Sequence, residues 1–308
     1  MISRRNIRVK VMQTLYVLDT QENQQPVQDS IKLLQKHFDL STQLFVYLVH
    51  LLTEVTRYAE TDARNRASKH LPSAEDLNVN TRIAGNELLW TILELPSYKT
   101  ALAAYKPHLL TDTELVKKWY QDLVETPEYK EYVASGARDK KSEKEILEFI
   151  FNAVLLPNEL FQAHIEENFT NWDDDVDMAL QLMQSFLQKP QSFNLQDMLG
   201  KEKWDFAKGL LQTVIEKKEV SLDLIKPKLK NWDPDRIALL DMILMQMGVC
   251  EFLYFETIPP KVTINEYIDL AKEYSTPQSG QFVNGILDNI HKDLVKENRM
   301  HKVAYKPS

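Results

Sequence analysis

Apolar residues recur three and four positions apart along most of this chain, the spacing of one face of an α-helix. The pattern is clearest in "QLFVYLVHLLTEVTRYAETDARNRA" (43–67), "ELLWTILELP" (87–96), "SEKEILEFIFNAVLLP" (142–157), "VDMALQLMQSFL" (176–187), "WDFAKGLLQTVIEKK" (204–218) and "PDRIALLDMILMQMGVCEFLYF" (234–255). Alternation of period two between turn signals is absent, and prolines fall between the periodic segments, where helix breakers belong. The predicted fold class is therefore all-α.

Local signals mark helix starts near the C-terminal end. Thr263 and Glu266 have the spacing of a capping box, with Val262 placed to staple onto Tyr267, and the "IPPK" turn before them ends the preceding helix. In "STPQSG", Thr276 is the expected N-cap and Pro277 the first helical residue. The helix that follows, "SGQFVNGILDNI", turns Phe282, Val283, Ile286, Leu287 and Ile290 to one face and leaves Asn284 and Gly285 off it. Glycine costs roughly 1 kcal/mol relative to alanine inside a helix. Its presence predicts that another helix approaches closely at Gly285, with Asn284 bonding across the contact.

An internal echo runs at an offset of 60 residues: "NWDDDVDMALQLM" (171–183) against "NWDPDRIALLDMI" (231–243). Aligned pairs include Ile150 with Leu210, Val154 with Val214 and Ile165 with Ile225. Two explanations stand: a degenerate duplication, with a repeat unit at 146–187, or chance likeness between amphipathic helices.

Composition narrows the class. The chain has 308 residues, 44% of them hydrophobic and 27% charged, as expected of a globular protein. No apolar run approaches the length of a membrane span, and the first twenty residues lack the apolar core of a secretory signal. A single cysteine, Cys250, excludes an internal disulfide framework and suits a reducing cytoplasm. The net charge is −8, but residues 1–10 carry Arg4, Arg5, Arg8 and Lys10 and no acid, so this segment holds +4 and the remainder −12. On a helix Arg4 and Arg8 lie one turn apart with Arg5 beside them, while Ile7, Val11, Leu15 and Leu18 form a separate stripe for docking. That cluster is either a basic edge presented to a polyanion or a solvated helix start.

Enzyme signatures are missing. There is no glycine-rich phosphate loop, no His-Glu-x-x-His and no Cys-x-x-Cys, and the seven histidines (37, 50, 70, 108, 164, 291, 301) are scattered. The cluster Asp173, Asp174, Asp175 and Asp177 opens a helix, where acids complement the helix dipole. Neither enzymatic activity nor a cofactor or metal is expected.

"IPPKVTINEYIDLAKEYSTPQSGQFVNGILDNI" resembles the C-terminal stretch of the NusB family of transcription antitermination factors. "FAKGLLQTVIEKKEVSLDLIKPKLKNW" is similar to that family's preceding helix pair, and "RRNIRVKVMQTLY" to its arginine-rich first helix. The likeness covers residues 3–19 and 204–292. It implies a NusB-like helical bundle enlarged by a helical insert: a first helix at 1–20 packed on a bundle at 204–296, an insert at 21–203, and a polar tail at 297–308. It further implies binding of single-stranded boxA RNA together with the ribosomal protein NusE, within the antitermination complex of RNA polymerase. The RNA-contacting positions implied are Arg4, Arg5, Arg8, Gln281 and Phe282, with Lys10 and Lys261 as weaker candidates. Tyr16, Asp241 and Gln278 correspond to partner-facing positions, and Gln278 stands where relatives often carry an acid. On their own chemistry, Tyr16 and Phe282 fit a core equally well, and Lys261 fits an ordinary surface lysine. Two other functions stay open: a helical interaction scaffold that has lost RNA binding, and a component of ribosomal RNA modification, which the same helical domain accompanies in some methyltransferases.

Overall fold

The computed structural model describes residues 2–20, 27–135, 138–229 and 237–303. Among these the protein is helical and without strands. Its α-helices are α1 (Arg4–Thr20), α2 (Val27–Ala67), α3 (Ala74–Leu77), α4 (Glu87–Glu94), α5 (Pro96–Tyr105), α6 (Thr113–Glu125), α7 (Pro127–Ala134), α8 (Lys140–Phe149), α9 (Glu159–Asn168), α10 (Trp172–Gln188), α11 (Lys201–Glu216), α12 (Lys218–Ile225), α13 (Leu239–Tyr254), α14 (Pro260–Tyr274) and α15 (Ser279–Lys296). The Asn231-Trp232-Asp233 half of the sequence echo lies outside the described residues. No helix among them is long and apolar enough to cross a membrane.

The chain divides into two compact units, one of residues 39–198 and the other of 2–38 with 199–308. In the first unit the middle of α2 supplies the core. Leu44 to Val49, Leu51, Leu52, Val55 and Ala59 are all buried, so this stretch is covered on every side, as a helix apolar all round must be. Helix α10 packs by one face, Met178, Ala179, Leu182, Met183, Phe186 and Leu187. Its Phe186 meets Phe45 and Phe193 edge-on at 5.8 and 5.4 Å between ring centroids. Within the acidic cluster, Asp175 is buried and accepts hydrogen bonds from Ser41 Oγ (2.7 Å) and Asn171 Nδ2 (2.6 Å), while Asp173, Asp174 and Asp177 are exposed.

In the second unit α13 is the central element, buried from Ile243 to Phe252 and packed by α1, α11, α12, α14 and α15. Cys250 lies in this helix, and burial first, then the neighbouring Glu251 charge, pushes its thiol up to about 12. One close helix approach in this unit occurs at Gly248, where a Cβ would stand 2.9 Å from Leu287 of α15.

The expectation for Gly285 is overturned: it is exposed, a Cβ there would meet nothing within 4 Å, and Asn284 is exposed as well. The predicted helix starts also shift. Helix α14 begins at Pro260, so Thr263 lies inside it, and its hydroxyl donates to Glu251 Oε2 (2.9 Å) instead of capping. Helix α15 begins at Ser279; Thr276 and Pro277 form the turn before it, with Thr276 Oγ1 2.8 Å from Ser279 Oγ.

Candidate nucleic-acid interface

Ser3 caps α1, its Oγ accepting from the Asn6 amide at 3.2 Å, and the buried Ile2 anchors the entry, with Lys203 Nζ on its carbonyl. From Ile7 to Met12 every side chain of α1 is buried. The helix is thus embedded through its middle, not seated by one stripe, and this sorts the basic residues into two classes.

Arg8 is buried, with only 2% of its side chain exposed. Its Nε and Nη2 donate to Glu251 Oε1 and Oε2 (2.7 and 3.2 Å), and its Nη1 to Glu266 Oε2 (3.3 Å). Thr263 and Tyr267 (2.7 Å) also donate to Glu251, so each carboxylate oxygen takes two bonds. Burial alone would lower the pKa of Arg8; the charge of Glu251, together with Tyr267, the Glu251 hydrogen bonds and Glu266, outweighs it and raises the pKa above the ordinary arginine value, so the guanidinium stays ionised. The rings of Phe206 and Tyr267 lie 5.7 and 5.9 Å from its Cζ. Lys10 is buried too. Neither of these residues is presented at the surface, contrary to the expectation of a four-residue basic edge.

Arg4 and Arg5 are the outward pair. Arg4 donates to Glu202 (3.1 Å) with its Cζ 5.5 Å from the Phe206 ring, and Arg5 donates to Glu273 (2.6 Å). Glu266 and Glu273 lie seven residues apart, on one face of α14. Arg8 and Arg5 therefore run along that face, and the 15 residues of α14 span about 22 Å. Lys261 is exposed at its first turn. At its far end Gly280 packs so closely that a Cβ would stand 2.7 Å from Lys272 Cγ. That contact starts α15 beside the residue Arg5 binds, with Gln278 and Gln281 exposed and Phe282 half-buried there.

Of the predicted partner-facing residues, Tyr16 is 42% exposed near the end of α1. Asp241 is buried and does not reach the surface; its Oδ2 accepts from Ser279 Oγ (2.8 Å), fixing the first residue of α15. Sequence reasoning missed the carboxylates that organise the site, Glu251, Glu266, Glu202 and Glu273. A signal existed for Glu251, a lone acid inside the apolar run "MGVCEFLYF".

The NusB family model matches residues 160–292. The chain is similar to the transcription antitermination protein NusB of Finegoldia magna, 40% identical over 111 residues that cover 36% of this chain and 80% of the relative. The chain belongs to the NusB family. It is also similar to NusB of Salinibacter ruber (43% identical over 100 residues, 32% of this chain) and of Methylacidiphilum infernorum (47% over 83 residues, 27% of this chain). It spans 62% and 58%, respectively, of those two NusB proteins. A solved structure of T. maritima NusB is 32% identical, with 36% of this chain and 83% of that chain covered and a TM-score of 0.30.

Proposed function

We propose that this NusB-family protein is a cytoplasmic RNA-binding transcription antitermination factor for ribosomal RNA operons, taking boxA RNA together with the ribosomal protein NusE. The observation that carries this function is the outward pair Arg4 and Arg5 on a helix held from below by the buried Arg8–Glu251 ion pair. Single-stranded RNA is bound by guanidinium groups on phosphate and by stacking surfaces. Arg4, Arg5 and Lys261 serve as phosphate contacts, with Gln281 and Phe282 as base contacts at the start of α15. Arg8 acts as a positioning residue beneath them.

Charge distribution supports the same assignment. Residues 39–198 hold 26 acidic and 15 basic side chains, a net −11; subtracting this from the total of −8 leaves +3 for the unit that carries the arginines. Within that unit we assign the RNA-binding body to the first helix with residues 204–296 and treat 21–203 as an insert, whose residues 39–198 form the other compact unit. Tyr16 and Gln278 are the proposed NusE contacts, and Asp241 sets the start of α15 from within.

A titration of a boxA-like RNA and a scrambled control, with and without NusE and at several salt concentrations, tests this. Preferential binding strengthened by NusE, with log K falling against log salt at a slope of about −2 for three phosphate contacts, is the expected result. Equal binding of both RNAs, or none, removes the assignment and favours the scaffold alternative.

A further inference from the structure

A groove of about 640 Å³ opens beside the arginines, between the start of α1 and the turn that leads into α14. That volume lies within the roughly 300–1,000 Å³ of small-ligand sites. Ser3, Arg4 and Arg5 line it from the start of α1, Ile258 and Pro259 from the turn, and Val262 and Glu266 from α14. The apolar lining is rigid, since Ile258 is buried, Pro259 is locked by its ring, and the β-branched Val262 has one stiff torsion. Val262 is nevertheless 43% exposed at the first turn of α14.

We propose that this groove takes one unpaired nucleobase of the bound RNA, an inference that rests on the RNA-binding function proposed above. A nucleotide joins a flat, weakly polar base to an anionic phosphate, and the groove joins an apolar wall to two outward guanidinium groups. The base lies against Pro259 and Val262, and its flanking phosphates take Arg4 and Arg5, whose exposed ion pairs with Glu202 and Glu273 a polyanion readily displaces. Glu266 supplies the edge contact. Its Oε2 accepts from Arg8, while no described group donates to Oε1. A carboxylate oxygen there favours adenine, cytosine or guanine, each of which presents an amino group. Uracil flanks its single N–H with two carbonyl oxygens, which the carboxylate repels.

The test uses the full chain and a boxA-like RNA in which 2-aminopurine replaces each base in turn. One position is expected to change its fluorescence on binding, and uracil at that position is expected to weaken the complex. Val262→Trp fills the groove from an exposed site; with folding verified by circular dichroism, it should abolish that signal and reduce affinity roughly 5- to 150-fold, the range for losing one stacked base. A second variant, Val262→Asp, should weaken binding in the same way by charge. If no position responds, or if both variants bind like the wild type while Arg4→Glu with Arg5→Glu abolishes binding, the groove assignment is overturned and the RNA-binding function stands. If Val262→Trp impairs only NusE binding, the groove belongs to a protein contact and the inference is likewise overturned. If the wild-type chain binds no RNA even with NusE, the function itself fails and the groove assignment falls with it.

Discussion

Arg8 and Glu251 meet in the interior through two hydrogen bonds, Nε to Oε1 and Nη2 to Oε2, although 243 residues separate them in the chain. Removing one member leaves the other charged and buried. Arg8→Met should therefore destabilise the protein by about 3–5 kcal/mol, the usual effect of breaking a buried ion pair. Urea unfolding is the measurement, and the midpoint should fall with the slope unchanged. A loss below about 1 kcal/mol would mean that the pair contributes little to holding α1.

The two exposed arginines should behave in the opposite way. Each is neutralised by a surface carboxylate, and such pairs are weak. Glu202→Gln and Glu273→Gln remove a competitor for phosphate and a negative charge beside it, so each should raise RNA affinity, roughly twofold to fivefold. Stability should hardly change. Isothermal titration with the same RNA distinguishes this from a purely structural role, in which affinity stays constant.

The unit of residues 39–198 carries a pH dependence of its own. His50 is buried, its Nε2 3.1 Å from Thr111 Oγ1; burial first, then the His108 and Arg57 charges, lower its pKa to about 4 from 6.5. The unfolded chain thus binds a proton between those values that the folded chain refuses. The stabilisation is complete above pH 6.5 and is lost as pH falls toward 4, by at most about 1.4 kcal/mol per pH unit. His164 is shifted in the same direction, chiefly by burial. Urea midpoints at pH 7 and pH 5 should differ less in His50→Gln than in the wild type; an unchanged difference would show that the slope arises elsewhere.

Glycines in two helices should respond with opposite signs. Gly285→Ala adds a methyl into open space and gains helix propensity, so it should stabilise by roughly 1 kcal/mol. Gly248→Ala places a methyl 2.9 Å from Leu287 Cδ2 and 3.4 Å from Tyr267, and should lower the Tm by several degrees. Thermal unfolding followed by circular dichroism separates them. Among the described residues nothing within 4 Å gives a packing reason for the glycine at 285.

What the sequence makes legible is what depends on near neighbours. The all-round apolar run from Leu44 to Leu52 announces a central helix, and so does "LMQMGVCEF" in α13. The arginine arm is visible as composition, but the difference between Arg4 and Arg8 is not, since a one-turn spacing treats them alike. Arg8 is distinguished by Glu251 and Glu266, which lie 243 and 258 residues away. Thr263 misleads for the same reason: its local pattern is that of a cap, and a buried carboxylate on another helix claims its hydroxyl.

The order in which the chain is made gives the Arg8–Glu251 pair a further consequence. At roughly 5–20 residues per second, the 243 residues between them take about 12–50 seconds to synthesise. Residues 39–198 form one continuous compact unit, and all of them precede α13. They can finish folding while the arginine helix still waits, solvated and unpaired, for the acid that will bury it. A nascent chain therefore holds the arginine arm in sequence long before it holds it in space, and the arm's assembly reports that the chain has been made at least as far as Glu251.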